Sequence, residues 1–271
     1  MENPLGKQSP YPEHYDPTLL FAIERSAVRT EAGIDGTAFT GYDLWNGHEL
    51  GWLDPRGKPQ VRRIRLVIPA DSPRIVESKS LKLYFVSYGM TRFENAETVR
   101  RTVEHDLKAL LGASWLYVTL IGRDEPLVLS DASAQLIDDL DAECDRYQVD
   151  PTLLRTVTTS PHTEQRFLSH LLKTNCPITG QPDWATVEIG FRADRGLEPV
   201  SLLKYLVSYR GHDGFHELCC EEIFRDLSKA LAPETLSVKC FFTRRGGIDI
   251  TPCRFAGTAS DERYGARYWR Q

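Results

Sequence analysis

The sequence predicts an α+β fold built from two related units, and three observations lead to that prediction. The first is an internal repeat: the runs ESKSLKLYFVSY from Glu77 and EPVSLLKYLVSY from Glu198 share seven residues at equal offsets when aligned at their glutamates. The second and third are helical spacing of apolar residues within each run and strand-like segments on both sides of it. A repeat of about 120 residues is too long for a solenoid unit, so it indicates two modules in tandem.

Each unit is predicted to contain a pair of amphipathic helices. The second helix of each pair covers roughly residues 96–111 and 217–231, with Gly112 and Pro233 as the stop signals. The first helix of each pair is predicted from apolar residues that recur three and four positions apart. These residues are Leu81, Tyr84, Phe85 and Tyr88 in the first unit and Leu202, Tyr205, Leu206 and Tyr209 in the second.

Strand-like sequence precedes and follows each predicted helix pair. The preceding runs are VRRIRLVIP and ATVEIGFRA, and the following runs are SWLYVTLIG and SVKCFFTRR. A sheet that carries both helices on one face buries both amphipathic surfaces. We therefore predict two domains, residues 1–140 and 141–271, joined by a linker at about 129–163 in which acidic, helix-like DDLDAECDRY gives way to PTLLRTVTTSPHTEQ.

The composition is that of an ordinary globular protein and narrows the function classes. A formal net charge of -5 over 271 residues argues against a dominant electrostatic role in nucleic-acid binding, although Arg62, Arg63 and Arg65 leave a local basic face open. No run approaches the roughly 18 apolar residues that a membrane helix needs. The segment Met1–Tyr15 is polar and proline-rich and does not have the pattern of a secretory signal, so a cytoplasmic location is expected.

Cofactor and metal motifs of the common kinds are missing from the sequence. The sequence contains no GxGxxG or GxxxxGK[ST]. RRGG at Arg244–Gly247 is the only run in it that combines charge and backbone freedom in a way suited to binding phosphate. None of the six cysteines forms a CxxC pair, and adjacent Cys219 and Cys220 have poor spacing for tetrahedral zinc. Reduced, mostly structural thiols are therefore expected.

One cysteine lies in a segment with a different character. The run TNCPITGQPDW places Cys176 among two prolines and a glycine, with Asp183 seven residues later and just before a strand-like run. A thiolate that attacks an electrophilic carbon and a carboxyl group that handles the proton are the parts of a covalent mechanism. The alternative is a half-buried thiol in a turn, with Asp183 capping local backbone amides.

Two further polar groups admit either a functional or a structural reading. His216 and Glu217 follow a glycine-containing turn, where a histidine can shuttle protons and a glutamate can accept paired hydrogen bonds from a purine-like edge. A first-turn glutamate that favours the helix dipole, next to a solvated histidine, is the alternative. The run Glu77–Ser80 could hold a polar ligand, or Ser78 or Ser80 could cap a helix beside surface charges.

Taken together, four ordered motifs resemble those of the NADPH-dependent 7-cyano-7-deazaguanine reductases (QueF). The motifs are ESKSLKLY, TNCPITGQPDW, GFHE and RRGGIDITP, and they span most of the chain. The tandem arrangement resembles the longer, two-module class of this tunnelling-fold (T-fold) family. The resemblance implies tandem T-fold units, each an antiparallel sheet with a pair of helices on one face, that assemble into barrels.

The resemblance also implies a role for each motif in the reduction of a nitrile to a primary amine. Cys176 is expected to add to the nitrile carbon as a thioimide, Asp183 to protonate the nitrogen, and His216 to be a second proton-handling group. The deazaguanine is expected to be held by Val76, Glu77, Ser78, His216 and Glu217, with Glu77 either touching the substrate or orienting the motif. NADPH is expected to be bound by Ser78, Lys79, Arg245 and Gly246.

Cofactors and partners follow from the same resemblance. Two NADPH molecules per turnover, no metal, at least a homodimer, no direct nucleic-acid binding and no membrane are expected, in the biosynthesis of queuosine for tRNA. Residues from both modules are expected to meet in one pocket. Two alternatives stay open: another T-fold pterin or purine enzyme, which would use a metal, and a non-catalytic purine-binding protein, for which Cys176 would be dispensable.

Overall fold

The computed structural model describes residues 11–125, 128–129, 133–259 and 266–271. Residues 1–10 of the polar N-terminal segment and 130–132 of the predicted linker lie outside the described residues. The chain forms two compact units that alternate along the sequence. They consist of Met1–Thr30, Tyr42–Pro126 and Arg244–Ile250 in the first unit and of Glu31–Gly41, Leu127–Thr243 and Thr251–Gln271 in the second. A boundary between two modules near residue 140 stays a prediction.

The first unit contains a three-stranded antiparallel sheet in the order β5-β3-β2 and a smaller antiparallel pair of β1 with β4. Helix α1 ends, and strand β2 begins, within the short stretch of chain that belongs to the second unit. The elements are β1 (Ala22–Glu24), α1 (Arg25–Ala32), β2 (Thr40–Leu53), β3 (Pro59–Pro69), β4 (Arg74–Val76), α2 (Ser78–Ser87), α3 (Ala96–Leu111) and β5 (Tyr117–Ile121).

Both helices α2 and α3 contribute to one apolar core with the strands of this unit. Ile64, Leu66 and Ile68 lie on one face of β3, because successive side chains of a strand point to opposite faces. The core also contains Leu81, Tyr84, Phe85 and Tyr88 from α2 and Val99, Val103, Leu107 and Leu111 from α3. The same alternation separates the three arginines of β3, so they do not form a single basic face: the Arg62 guanidinium lies over Trp52, whereas Arg65 donates to Asn46.

In the second unit the strand order is β11-β10-β9-β8-β7, antiparallel except that β7 runs parallel to β8. Strands β6 and β12 form a separate parallel pair. The elements are β6 (Val128–Leu129), β7 (Gln135–Leu136), β8 (Thr156–Asn175), β9 (Pro182–Leu197), α4 (Pro199–Ser208), α5 (His216–Leu231), β10 (Thr235–Phe242), β11 (Ile248–Ala256) and β12 (Ala266–Arg267).

Helix α4 packs against β8, and helix α5 packs against β9 and β10. The buried side of α5 carries Cys219, Cys220, Ile223, Phe224 and Leu227, which recur at helical spacing. The helix ends at Leu231, where Ala232 adopts a left-handed conformation with φ 44° immediately before Pro233. The predicted stop at this proline is therefore confirmed.

The sequence repeat corresponds to a repeated hydrogen-bond network inside each unit. In the first unit, the Tyr84 hydroxyl lies 2.5 Å from the Tyr88 hydroxyl and donates to Asp106 Oδ2 at 2.6 Å. In the second unit, the Tyr205 hydroxyl lies 2.9 Å from the Tyr209 hydroxyl and donates to Asp226 Oδ2 at 2.8 Å. Burial is the main cause of the raised pKa of all four tyrosines, so they stay protonated.

A second repeat, DPTLL, was not used in the sequence-based prediction. It occurs at 16–20 and 150–154, where Asp16 and Asp150 cap short 3-10 helices by accepting the N–H groups of Thr18 and Thr152. Each aspartate then donates its own N–H to a serine near the end of the following repeated helix, Ser87 in one case and Ser208 in the other. The repeated part of each unit thus begins earlier than the glutamate-led run.

The α+β class is confirmed, and several local predictions are wrong. The acidic segment DDLDAECDRY forms no helix; its first residue, Asp138, instead accepts the His170 N–H and the Ser169 hydroxyl. The predicted linker ends too late, because β8 already begins at Thr156, and β2 was not predicted. Among the described residues, no helix has the length and apolarity needed to cross a membrane.

We predict that Tyr205→Phe lowers the free energy of unfolding by about 1–3 kcal/mol, because Tyr209 and Asp226 lose a buried hydrogen-bond partner. Urea denaturation of the purified protein measures the change. Tyr117→Phe is the matched control, since its side chain is 56 % exposed, and it should change stability by less than about 0.5 kcal/mol. Equal stability of the two variants would contradict the structural role of the network.

Candidate active site

Cys176 lies at the start of the tight turn that joins β8 to β9. Its N–H donates to the Gln181 carbonyl at 2.9 Å, and its own carbonyl accepts the Gly180 N–H at 2.9 Å. Gly180 has φ 66°, a conformation that favours glycine. The Cys176 side chain is half-buried. A defined turn therefore presents the thiol, as the prolines and the glycine of this segment predict.

Asp183 lies on the strand opposite the thiol-bearing turn. It is the second residue of β9 and pairs with Thr174, two residues before Cys176, so the prediction that it precedes the strand is wrong by two positions. The carboxyl group is 3 % exposed, and its Oδ2 lies 3.2 Å from His216 Nε2. A buried carboxyl group beside an imidazole can hold and pass a proton.

His216 is the first residue of helix α5, and its imidazole ring is stacked on Phe242. The ring centroids are 3.8 Å apart and the ring planes differ by 6°. Phe242 is the last residue of β10 and pairs with Ala185, two residues beyond Asp183 on β9. The aromatic ring and the carboxyl group together fix the plane and direction of the imidazole. Phe242 was not predicted to belong to the site.

The backbone before His216 is hydrogen-bonded to the residue before Cys176. Asn175 donates its N–H to the His212 carbonyl at 2.8 Å and accepts the Gly214 N–H at 3.1 Å. Lys173, also at the end of β8, donates to the Arg210 carbonyl at 2.8 Å. We call the residues 209–215 the connecting segment. It brings the thiol-bearing turn and the start of α5 together.

Glu217 and Cys219 follow His216 in the first turns of α5, and both are buried. Burial first, and then the nearby Glu222 carboxylate, raise the pKa of the Cys219 thiol well above its usual value, while a hydrogen bond with Thr174 lowers it. Cys219 is consequently a protonated thiol at neutral pH and a poor nucleophile. Cys220, Cys240 and Cys253 are buried as well, so the half-buried cysteines are Cys144 and Cys176.

Glu77 is a helix cap in the first unit. It is 1 % exposed, and its two carboxylate oxygens accept the N–H groups of Lys79 at 2.6 Å and Ser80 at 2.7 Å. Glu77 is therefore the cap of helix α2. The structural alternative, in which Ser78 or Ser80 caps this helix, is wrong. Ser80 instead donates its hydroxyl to the Glu77 carbonyl at 2.7 Å. Glu77 therefore orients the start of this motif. Contact between Glu77 and the substrate stays a prediction.

The other predicted residues of the first unit lie around the same helix start. Val76 is the buried last residue of β4, and Ser78 and Lys79 open helix α2 with half-buried side chains. Arg245 and Gly246 lie in a turn that is closed by hydrogen bonds between Arg245 and Ile248 in both directions.

The turn that carries Arg245 lies against helix α2. A Cβ added to Gly246 would stand 3.2 Å from the Lys82 side chain, and Gly246 and Gly247 have φ 53° and 77°. Gly246 is exposed and lies beside the Lys82 side chain, whereas Gly247 is buried against the Glu49 carboxylate. The exposed Gly246 backbone next to a cationic side chain suits a phosphate group of a nucleotide. The structure thus brings two of the predicted cofactor motifs together within the first unit, although Lys82 itself was not predicted.

The predicted site residues fall into two groups. Cys176, Asp183, His216 and Glu217 lie in the second unit, and Val76, Glu77, Ser78, Lys79, Arg245 and Gly246 lie in the first. Within the second unit, the thiol turn, the carboxyl group and the imidazole come together at the end of the β8–β9 hairpin. A single pocket that combines both groups stays a prediction.

Two family models match the chain. One is described as nitrile reductase, 7-cyano-7-deazaguanine-reductase N-term, and matches residues 11–119. The other is described as QueF-like protein and matches residues 182–260, which include Asp183, His216, Glu217 and the Arg245 turn. Cys176 lies between the two matched ranges.

Curated relatives match along nearly the whole chain. The NADPH-dependent 7-cyano-7-deazaguanine reductase of Bordetella avium is 46 % identical over 95 % of this chain and 94 % of the relative. The protein of the same name from Chromohalobacter salexigens is 48 % identical over 93 % of this chain and 90 % of the relative. The solved apo structure of the archaeosine synthase QueF-Like aligns with a TM-score of 0.33 and 17 % identity over 38 % of this chain, too weakly to bear on the fold.

The class of protein follows from the site and these matches. An α+β protein with a thiol in a hairpin turn, next to a buried carboxyl group and its imidazole partner, has the groups that a thiol enzyme would need. The chain belongs to the family of NADPH-dependent 7-cyano-7-deazaguanine reductases.

We predict that iodoacetamide at pH 8 modifies Cys144 in the native protein but leaves Cys219 unmodified. Burial raises the pKa of Cys219, so the fraction of reactive thiolate is small. Peptide mapping by mass spectrometry measures the extent at each cysteine, and the urea-unfolded protein, in which both should react, is the control. Modification of Cys219 as fast as Cys144 would contradict its placement.

We predict that Glu77→Ala lowers the free energy of unfolding by about 0.5–2 kcal/mol, because two N–H groups of helix α2 lose their acceptors. The repeat supplies a matched control in Glu198→Ala, since the Glu198 side chain makes no capping hydrogen bond at α4. Urea denaturation without ligand separates this role from substrate binding. Equal losses in the two variants would count against the cap.

Proposed function

We propose that this protein reduces the nitrile of 7-cyano-7-deazaguanine to the primary amine of 7-aminomethyl-7-deazaguanine with NADPH, in the queuosine pathway, through a thioimide on Cys176. The single observation that carries the proposal is the half-buried thiol in a turn next to the buried Asp183 carboxyl group and its partner His216. Family membership supports the reaction, and the placement of Cys176 and Asp183 at the end of one hairpin supports the covalent mechanism.

Thiol addition makes the nitrile reducible. A nitrile is a poor hydride acceptor, whereas addition of the Cys176 sulfur to its carbon gives a C=N group that accepts hydride readily. In that step the S–C bond forms, one C–N π bond breaks, and the nitrogen takes a proton, which we assign to Asp183. His216 lies within reach of the Asp183 carboxyl group and can return a proton to it.

Four electrons are needed to convert the nitrile into the amine, and NADPH supplies them as two hydrides, so two NADPH are consumed per product. After the first reduction, the Cys176 thiolate is expelled and leaves an imine, which the second reduction converts into the amine. The nitrogen takes up two protons to become NH₂ and a third to become the ammonium at neutral pH. Water must be excluded throughout, because hydrolysis of the thioimide or imine would compete.

Binding roles complete the proposal. Glu217 and His216 contact the deazaguanine, and Val76 and Ser78 contribute to its recognition, while Glu77 orients the motif through its hydrogen bonds to the start of α2. Ser78, Lys79, Arg245 and Gly246 bind NADPH, which the exposed Gly246 backbone and the adjacent cations of the Arg245 turn fit. Tandem T-fold architecture and a homodimer belong to the same proposal and rest on the resemblance alone. A cytoplasmic location is part of the proposal too.

We predict that NADPH is oxidised only when the nitrile is present, at two NADPH per amine formed. Cys176→Ala should reduce turnover to background, and Asp183→Asn should reduce it about 10²–10⁴-fold, because the proton donor is lost. Cys144→Ala is the control, because Cys144 is also half-buried but lies outside the site. Absorbance of NADPH and chromatography of the amine provide the measurements.

The alternatives make different predictions in the same experiment. A non-catalytic purine-binding protein would oxidise no NADPH, and Cys176→Ala would bind ligand as the unchanged protein does. A metal-dependent T-fold enzyme would contain stoichiometric zinc and lose activity with a chelator. Either result would overturn the proposed function.

A further inference from the structure

Two side chains in contact support the connecting segment, and the proposed reaction gives them no role. His212 Nε2 lies 2.8 Å from Glu222 Oε2, with side chains 20 % and 11 % exposed. Resting on the proposed function, we infer that His212 and Glu222 are positioning residues, which hold the connecting segment so that Cys176 and His216 keep the geometry needed for addition to the nitrile.

Backbone contacts of His212 transmit its position to the thiol turn. The His212 N–H donates to the Tyr209 carbonyl at 2.9 Å, and the His212 carbonyl accepts the N–H of Asn175 at 2.8 Å. Asn175 is the residue immediately before Cys176. A movement of the His212 backbone would therefore displace the start of the turn that presents the thiol.

The same segment leads directly into the imidazole. Gly214 donates its N–H to the Asn175 carbonyl at 3.1 Å, two residues before His216. A Cβ at Gly214 would lie 2.9 Å from His212 Nε2 and 3.0 Å from Cys219 Sγ, so the segment passes close to the His212 imidazole and to helix α5. The pair thus fixes both ends of the proposed catalytic group: the thiol through Asn175, and the imidazole through Gly214.

Glu222 is well placed to hold His212 because it belongs to a long, buried helix. It lies in α5, six residues after His216, and is buried. The imidazole of His212 also meets the Tyr209 ring edge-to-face, with centroids 5.3 Å apart. Tyr209 is anchored in the buried Tyr205–Asp226 network. The connecting segment is therefore fixed to the helix layer at two points.

A metal site is the competing explanation, since His212, Cys219 and Glu222 have ligand atoms within 4.8 Å of one another. The distances favour direct pairing. Ligand atoms around a tetrahedral zinc ion stand about 3.3 Å apart, because zinc–nitrogen and zinc–oxygen bonds are about 2.0–2.1 Å long. The 2.8 Å between Nε2 and Oε2 is shorter than that spacing, so the two atoms contact each other directly.

The test compares Glu222→Ala, Glu222→Gln, His212→Ala and the His212→Ala/Glu222→Ala double variant with the unchanged protein. The rate of adduct formation on Cys176 is measured without NADPH at increasing 7-cyano-7-deazaguanine by quenching and intact-protein mass spectrometry. Glu143→Ala is the matched control, because Glu143 is exposed and in the same unit.

We expect Glu222→Ala to lower the maximal rate constant about 10–100-fold, since a small misplacement of reacting groups is costly, and to change the half-saturating concentration less than about twofold. Glu222→Gln should stay within about threefold of the unchanged protein, because the amide keeps the size of the carboxylate and an oxygen in contact with His212. The double variant should resemble the single alanine variants, because residues that act through one contact are not additive.

Several outcomes would overturn the inference. Unchanged rates in the alanine variants, a glutamine variant as slow as the alanine variant, or single effects that add in the double variant would each do so, as would stoichiometric zinc in the purified protein. If Glu222→Ala does not fold, the rates of adduct formation in His212→Gln and Glu222→Gln are compared instead. Failure of the unchanged protein to form an adduct would reject the proposed function instead.

Discussion

The exchange of hydrogen bonds between Asn175 and the connecting segment is the contact on which the candidate site depends. The thiol and the imidazole are forty residues apart in sequence, and each would otherwise lie at the end of a different element. Asn175 binds His212 and Gly214 through its backbone, so the hairpin end and the helix start share one rigid connection. Asp183 can meet His216 because both lie at this junction.

The two units share several structural features but differ at the start of the first helix of each pair. Each contains a Tyr–Tyr–Asp network and a capped DPTLL turn, which fix the first helix of the pair against its surroundings. The start of that helix differs between the units. In the first unit the Glu77 carboxylate binds two backbone N–H groups, whereas in the second the Glu198 side chain makes no capping hydrogen bond and Pro199 follows it. A proline at the first helical position is compatible with the helix, because the N–H that it lacks would have had no partner within the helix.

Much of the fold follows from local pattern, because helices and strands that bury one face show their period in the sequence. The helix pairs and the Gly112 and Pro233 stops are of this kind. The segment Asp138–Tyr147 misled the prediction because its composition favours helix, whereas Asp138 is used to bind the backbone of His170. Local propensity cannot anticipate a contact with a strand thirty residues away.

For the site, the sequence identified the residues that can take part in the reaction but missed the residues that position them. Cys176 and Asp183 are signalled by a turn rich in proline and glycine, and family motifs single out His216. Phe242, Asn175 and the His212–Glu222 pair carry no such signal, because stacking and backbone pairing depend on which strands and helices become neighbours. Glu77 is the reverse case. Its motif helps to identify the family, whereas its carboxylate accepts hydrogen bonds from the backbone of α2.

The central claim is that Cys176 is the residue that becomes covalently joined to the nitrile carbon. The most direct measurement is peptide mapping by mass spectrometry of the protein after incubation with 7-cyano-7-deazaguanine in the absence of NADPH. The account predicts one added ligand mass per chain, located on the peptide that contains Cys176 and lost when NADPH is supplied. An adduct on another cysteine, or the absence of any adduct while NADPH-dependent reduction proceeds, would contradict it.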